Sequence, residues 1–344
     1  MPAGIFPGGH FYDWRTRMAP HMAEAEGANM SATKQNGSNF VIFAALAANF
    51  GIAVAKFIAA AISGSSSMLT EGFHSVVDSL NQILLLYGQH RGRRPPDEAH
   101  PFGYGRELYF WSFVVAILIF GVGAGVSIFE GVVHIYEPEP LSDPVLNYVV
   151  LGIAFAMEGT SWFFAMREFA AANRDGGWWE AVRKSKDPAG FIVLFEDSAA
   201  LAGLVIAAIG VWASQAWQDP RIDGVASIAI GVLLALVAAL LARESKGLLI
   251  GEGADPAIVA QVRAIVDARP EITSVNHVRT IHTAPESIFV AISADFNDPL
   301  TMGEAELLIE EIETELKAAM PMLSSIYIRP ERREDASILK PAAT

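Results

Sequence analysis

The chain has 344 residues, a length that allows two or three soluble domains, yet only 18% of them are charged, against roughly 25% in an average soluble domain. With 52% hydrophobic residues and a mean hydropathy of +0.34, a purely soluble globule is excluded and repeated bilayer-spanning helices are expected. The net charge is −14, and from Gly251 onward 16 Asp and Glu face 8 Lys and Arg, which argues against a nucleic-acid partner. No cysteine is present, so disulfides and thiolate metal sites are excluded and His, Asp and Glu remain as metal donors.

Residues 1–38 are mixed and polar, and a disordered tail is the expectation. They hold no apolar core of a cleavable signal peptide, and with only Arg15, Arg17 and Lys34 they make a poor transit peptide. Met22 and Met30 are alternative starts. Six apolar stretches follow: Asn39–Ile62, Met68–Tyr87, Tyr109–Val133, Val145–Phe169, Phe191–Trp212 and Val225–Leu241. Each has the length to cross a hydrocarbon core of ~30 Å at ~1.5 Å per residue. Arg91, Arg93, Arg94 and Arg106 lie between the second and third stretches, and Arg167, Arg174, Arg183, Lys184 and Lys186 between the fourth and fifth. The opposite connections carry only Arg221, so the basic loops and both termini are expected on the cytoplasmic or matrix side. A bacterial inner membrane is the favoured location, with the mitochondrial inner membrane as the alternative. Residues 39–248 are thus read as a six-helix transmembrane domain embedded in lipid.

Beyond it, Ile258, Val259, Val262, Ile265 and Val266 recur at helical spacing, a strand is expected over Val275–His282, and Ile288, Val290, Ile292 and Ala294 alternate as a second strand. Leu307, Leu308, Ile312, Leu316 and Met320 form the stripe of another helix, and Ile326 and Ile328 mark a last strand. The fold class is therefore an α-helical membrane protein followed by a small α+β domain of αββαβ, ferredoxin-like order over residues 249–330, with residues 331–344 as a C-terminal tail. So small a layer buries a modest core, and a homodimer is expected to supplement it.

Ionisable groups in hydrocarbon need a reason to be there. The second stretch carries Glu71, His74, Asp78, Asn81 and Gln82. His74 and Asp78, four residues apart, share one helix face and supply half of a tetrahedral site for a cation such as Zn2+. The bland alternative, a buried histidine satisfied by its own carboxylate, fits less well at that depth with three further polar neighbours. Glu196 and Asp197 in the fifth stretch are costly unless a cation or proton joins them, and since neighbours point ~100° apart only one aims directly at His74. Glu158 reads as a protonated glutamate bonded to Ser161 or to a neighbouring helix, and Glu130 as interfacial. Gly121 and Gly125 form a GxxxG permitting close helix approach within the bundle or across a dimer.

Four stretches in order resemble the cation diffusion facilitators, most of all the branch containing the mitochondrial zinc exporters: Ser67–Asp78, Asp97–Glu107 with its His-Pro-Phe-Gly-Tyr-Gly-Arg-Glu string, Glu196-Asp197-Ser-Ala-Ala, and Asp223–Gly231. The resemblance implies proton-coupled export of divalent metal, no resident cofactor, and metal-ligand roles for His74, Asp78 and Asp197. The family's remaining ligand falls on Val193, so water, Glu196, Asn49 or Glu158 has to complete the site. Zn2+ leads as substrate, with Co2+, Cd2+, Mn2+ and Fe2+ open. Asp97 and His100 match part of a loop site whose last position is Tyr104, and the structural alternative has the loop turning at Pro95 and Pro96 and anchoring on the bundle. The tail positions that bind metal in some members correspond to Asn276 and Ser293. His277 and His282 are expected to be exposed strand histidines, so the tail reads as a metal-free dimerisation domain. Two rivals are a transport-inactive scaffold or metal-responsive interaction protein, and a hydrolase. No HExxH-like helix supports the hydrolase, and no enzyme activity is expected.

Overall fold

The structure, a computed structural model, describes residues 46–47, 49–138, 144–172, 186 and 188–336. The expected disordered tail of residues 1–38, the loop cations Arg174, Arg183 and Lys184, and residues 337–344 lie outside the described residues. Two compact units divide the chain, Met1–Gly51 and Ile52–Thr344, and of the first only residues 46–47 and 49–51 are described, all of them helical.

Four helical stretches are long and apolar enough to cross a membrane: Glu107–Tyr136, Val145–Arg167, Gly190–Trp217 and Arg221–Ile250. Two helices precede them. The described apolar part of α1 is Asn49–Ser63, and α2, Ser66–Gly92, has the length but carries the polar residues noted above. Gly64, at φ 71°, makes the turn between them in a conformation that side chains with a Cβ resist. Ser65 then caps α2 by accepting the Met68 N–H. The third stretch is not one regular helix: α3, Glu107–Leu118, passes through a π-helical segment, Ile119–Ala124, into α4, Gly125–Tyr136. α5 is Pro144–Ala172, α6 Pro188–Trp217 and α7 Arg221–Ile250, the last extending past its expected limits at both ends.

Within one chain, Gly121 and Gly125 make no close contact with another helix among the described residues. Gly121 has nothing within 4 Å and Gly125 meets only Phe120 of its own helix; the tight contact is made by Gly131 and Gly224. A Cβ on Gly131 would stand 2.5 Å from the Gly224 carbonyl oxygen, so α4 and α7 meet backbone to backbone there. At the same end, Asp223 is buried and saturated: the Ser65 and Ser67 hydroxyls and the Ser67 N–H all donate to its carboxylate. That clasp ties the N-terminus of α2, where a helix favours negative charge, to the start of α7.

α7 ends at Gly251, at φ 119°, and the chain enters the tail. The tail runs α8 (Pro256–Asp267), β1 (Ile272–Ala284), β2 (Ser287–Phe296), α9 (Met302–Ala319) and β3 (Leu323–Pro330). β2 is central, antiparallel to β1 and parallel to β3, the parallel pair being bridged by α9. Thr301 and Glu304 form a capping box at the start of α9. Val262 and Val266 of α8 and Leu308, Ile312 and Leu316 of α9 share a core with Val290, Ile292 and Ile326, so both helices cover one face. Leu307 departs from the expected stripe and is 64% exposed, because a four-residue repeat from Leu308 already fills the buried face.

The loop between α2 and α3 anchors on this tail and not, as expected, on the bundle alone. A Cβ on Gly105 would collide with Thr283 and Ala284 of β1, the Arg106 guanidinium donates to the His282 carbonyl at 3.5 Å, and Phe102 packs edge-on against Phe289 of β2.

Candidate metal site in the helix bundle

α2 brings its polar residues into the interior because α6 leaves room for them. A Cβ on Gly203 of α6 would stand 2.6 Å from Glu71 Oε1, so glycine there makes space for the carboxylate. Glu71 accepts from Lys56 Nζ at 3.0 Å, and the same ammonium donates to Ser75 Oγ at 2.8 Å and lies 4.0 Å from Glu158 Oε1. Lys56 is fully buried, and this network joins α1, α2 and α5. It went unread in the sequence, although a lone lysine inside an apolar stretch is a signal in its own right. Of the two partners expected for Glu158, Ser161 or a neighbouring helix, the nearby group is thus Lys56 of α1.

One turn beyond Glu71, His74 and Asp78 lie together, Nδ1 to Oδ1 at 3.6 Å. Both are buried, and both ring nitrogens of His74 and Oδ1 of Asp78 have no hydrogen-bond partner. Asp78 and Glu196 reach each other's carboxyl groups, and Asn81 Nδ2 donates to Glu196 Oε1. Asp197 turns elsewhere: it accepts from Ser161 Oγ of α5 at 2.9 Å. The ~100° between adjacent helical residues therefore sends Glu196 to α2 and Asp197 to α5. Val193, one turn before Asp197, packs in the apolar core and offers no donor. Among the described residues no three His, Asp or Glu side chains stand close enough to hold a metal ion, so the site consists of a paired imidazole and carboxylate with further carboxylates to either side. Unpartnered polar atoms inside a protein cost ~1–3 kcal/mol each, and a cation or proton is the species that relieves them.

The loop residues Asp97, His100 and Tyr104 are brought together within one turn. Asp97 accepts the His100 N–H at 2.7 Å and the Tyr104 hydroxyl at 2.6 Å, and the His100 and Tyr104 rings lie 4.2 Å apart. The Tyr104 hydrogen bond, with help from the His100 N–H, holds the exposed Asp97 carboxyl below the usual carboxylate range. Both oxygens of Asp97 are committed to the turn.

In the tail, Asn276 Nδ2 donates to Ser293 Oγ at 3.1 Å and to the Glu331 carbonyl at 2.8 Å, and Ser293 donates to the Glu331 carboxylate at 2.6 Å. His277 is half-buried, whereas His282, expected to be exposed, is only 4% exposed. The segment leaving α7 covers it: the His282 N–H bonds the Glu252 carbonyl at 3.0 Å. Burial, followed by nearby Lys186, lowers the His282 pKa. Pairing is regular between His277 and His282, so they point to opposite faces.

Comparisons with known proteins bear on the same regions. The family model described as the cation efflux transmembrane domain matches residues 42–250, and the one described as the cation efflux protein cytoplasmic domain matches residues 254–333. The chain is 30% identical over 244 residues to the mitochondrial proton-coupled zinc antiporter SLC30A9 of Xenopus laevis, covering 70% of this chain and 44% of that one. It is 32% identical over 267 residues to metal tolerance protein C4 of Arabidopsis thaliana, covering 77% and 58%. It is 22% identical over 301 residues to the manganese efflux system protein MneP of Bacillus subtilis, covering 87% and 97%. The chain spans about half the length of the first two relatives.

Proposed function

The chain belongs to the cation efflux family, and from that premise we propose that it exports divalent metal, Zn2+ foremost, in exchange for protons. The observation that carries the reading is the buried His74–Asp78 pair, whose three unpartnered donor atoms sit beside Glu196 in the matched transmembrane domain. In this reading α1 and α2 complete six spans with the four apolar helical stretches, and both termini face the cytoplasm or matrix. The tail adopts a ferredoxin-like arrangement and pairs two copies of the chain without metal.

The metal, as substrate, binds neutral His74 and ionised Asp78, because ligands shed protons to coordinate. Glu196 is already in reach of Asp78 as a further donor, and Asp197 joins by leaving Ser161 as α5 and α6 shift. Protons arriving from the opposite side compete for the same atoms and expel the metal, which couples the two fluxes. An imidazole with carboxylates suits Zn2+, while Co2+, Cd2+, Mn2+ and Fe2+ meet the same donors. The transport-inactive scaffold draws support from Val193 and from Asp197 facing Ser161.

Proteoliposomes holding the full chain, with an imposed pH gradient and a panel of divalent metals, separate the two. Gradient-driven zinc flux is expected; no flux of any metal at any gradient would leave the scaffold.

A further inference from the structure

The end of the bundle opposite the tail holds a second set of metal-competent donors. On α4 and its last turn, Glu130, His134 and Glu137 follow at spacings of four and three, which puts them on one helix face. Together with Ser65 and Ser66 of the α1–α2 turn they line a cavity of about 530 Å³. Ser66 lies eight residues before His74, so this cavity is ~12 Å along α2 from the midplane pair at 1.5 Å per residue.

His134 is the unusual member. It is only 7% exposed, and its Nε2 is buried without a hydrogen-bond partner. The Gly131–Gly224 crossing holds it there: a Cβ on Gly224 would stand 3.3 Å from His134 Cβ, so the start of α7 fixes the base of the ring. The flanking carboxylates differ in placement, Glu130 half-buried and Glu137 exposed. One imidazole with an orphan, buried nitrogen and two carboxylates therefore line the same cavity. α4 also ends there, at Tyr136, and the C-terminal end of a helix favours positive charge. Nitrogen and carboxylate donors of this kind suit a borderline divalent cation.

We propose that Glu130, His134 and Glu137 form a low-affinity divalent-cation site in this cavity. Among the described residues the three side chains do not stand within metal-holding distance of one another, so a cation has to draw them together. Its role as the last stop of an exported cation rests on the export reading above; cation binding itself does not.

The test uses the full chain in detergent with Asp78→Ala and Asp197→Ala together, which disables the midplane. Equilibrium dialysis with Zn2+ alone, and the visible absorption of Co2+ alone, report what remains. One ion per chain is expected, with His134→Gln and Glu130→Gln each weakening binding at least ~10-fold. No residual binding, or residual binding indifferent to both substitutions, overturns the proposal. If His134→Gln does not yield folded protein, the exposed Glu137→Gln decides, and unchanged affinity in that variant overturns it as well. Failure of the export reading is distinguishable, because it shows as absent zinc flux in proteoliposomes of the unaltered chain while the outer cavity still binds zinc.

Discussion

The His74–Asp78 pair of the helix bundle and the Asn276–Ser293 pair of the tail sheet differ in how far their polar atoms find partners. At the two tail positions that the family resemblance marks for metal, Asn276 and Ser293, the side chains bond each other and Glu331, leaving only Asn276 Oδ1 unmatched. In the bundle, both His74 nitrogens and Asp78 Oδ1 are left without partners in a place where water is scarce. A largely satisfied hydrogen-bond network gains little from a cation, whereas an open one is destabilised until something completes it. On the export reading proposed above, the difference separates a region that holds its shape from one that exchanges an occupant.

The most damaging way to break the comparison is to remove a donor from the open network. Asp78→Ala is expected to reduce metal flux in proteoliposomes by more than ~100-fold while the protein still folds and inserts, since even outer partners of metal ligands are worth ~10–100-fold. Normal flux in that variant would remove Asp78 from the site. Next comes the buried ion pair. Lys56→Met strands Glu71 and is expected to cost ~3–5 kcal/mol in thermal or denaturant unfolding in detergent, and Lys56→Met with Glu71→Gln should regain most of it. Equal loss in single and double variants would show that the lysine acts through its bulk.

Glu196→Gln sharpens the site itself. A fall in flux of ~10-fold or more, with a changed pH profile, is expected if it completes the coordination left short by Val193. Wild-type flux and pH profile would instead leave water as the remaining ligand. In the closed network the effects are smaller. Ser293→Ala should cost ~1 kcal/mol, and chelation of metal should leave hydrogen exchange in β1 and β2 unchanged. Slower exchange on adding zinc would mean that the tail does hold metal.

The smallest effect is expected at the loop. Asp97 has a lowered pKa, so its support of the turn is complete above the ordinary carboxylate range and is lost as pH falls through the lowered value. Tyr104→Phe removes the main cause and should move that loss to higher pH. Hydrogen exchange of the His100 amide, which donates to Asp97, reads it over a series of acid pH values once corrected for the intrinsic pH dependence; identical profiles for both proteins would show that Asp97 does not hold the loop.

Much of this was legible in residue order. The alternation of Ile288, Val290, Ile292 and Ala294, and the spacing of Val262 and Val266, specify strand and helix because side-chain direction follows backbone period. His74 and Asp78 were legible for the same reason, one turn apart on one helix. Lys56 was also visible, but its partners lie on α2 and α5, and no local pattern connects position 56 with 71 and 158.

What the sequence determined by itself is periodicity, hydropathy and the inventory of donors, since these depend on neighbours along the chain. Tertiary structure alone decided that Glu196 faces Asp78 while Asp197 faces Ser161, and that His282 is covered by the segment leaving α7. It also decided that Gly131, not Gly121, lies at the close crossing. Each of these depends on the rotation of one helix about its axis, or on the path of a distant segment. Those are set by packing between elements, and no period within either element encodes them.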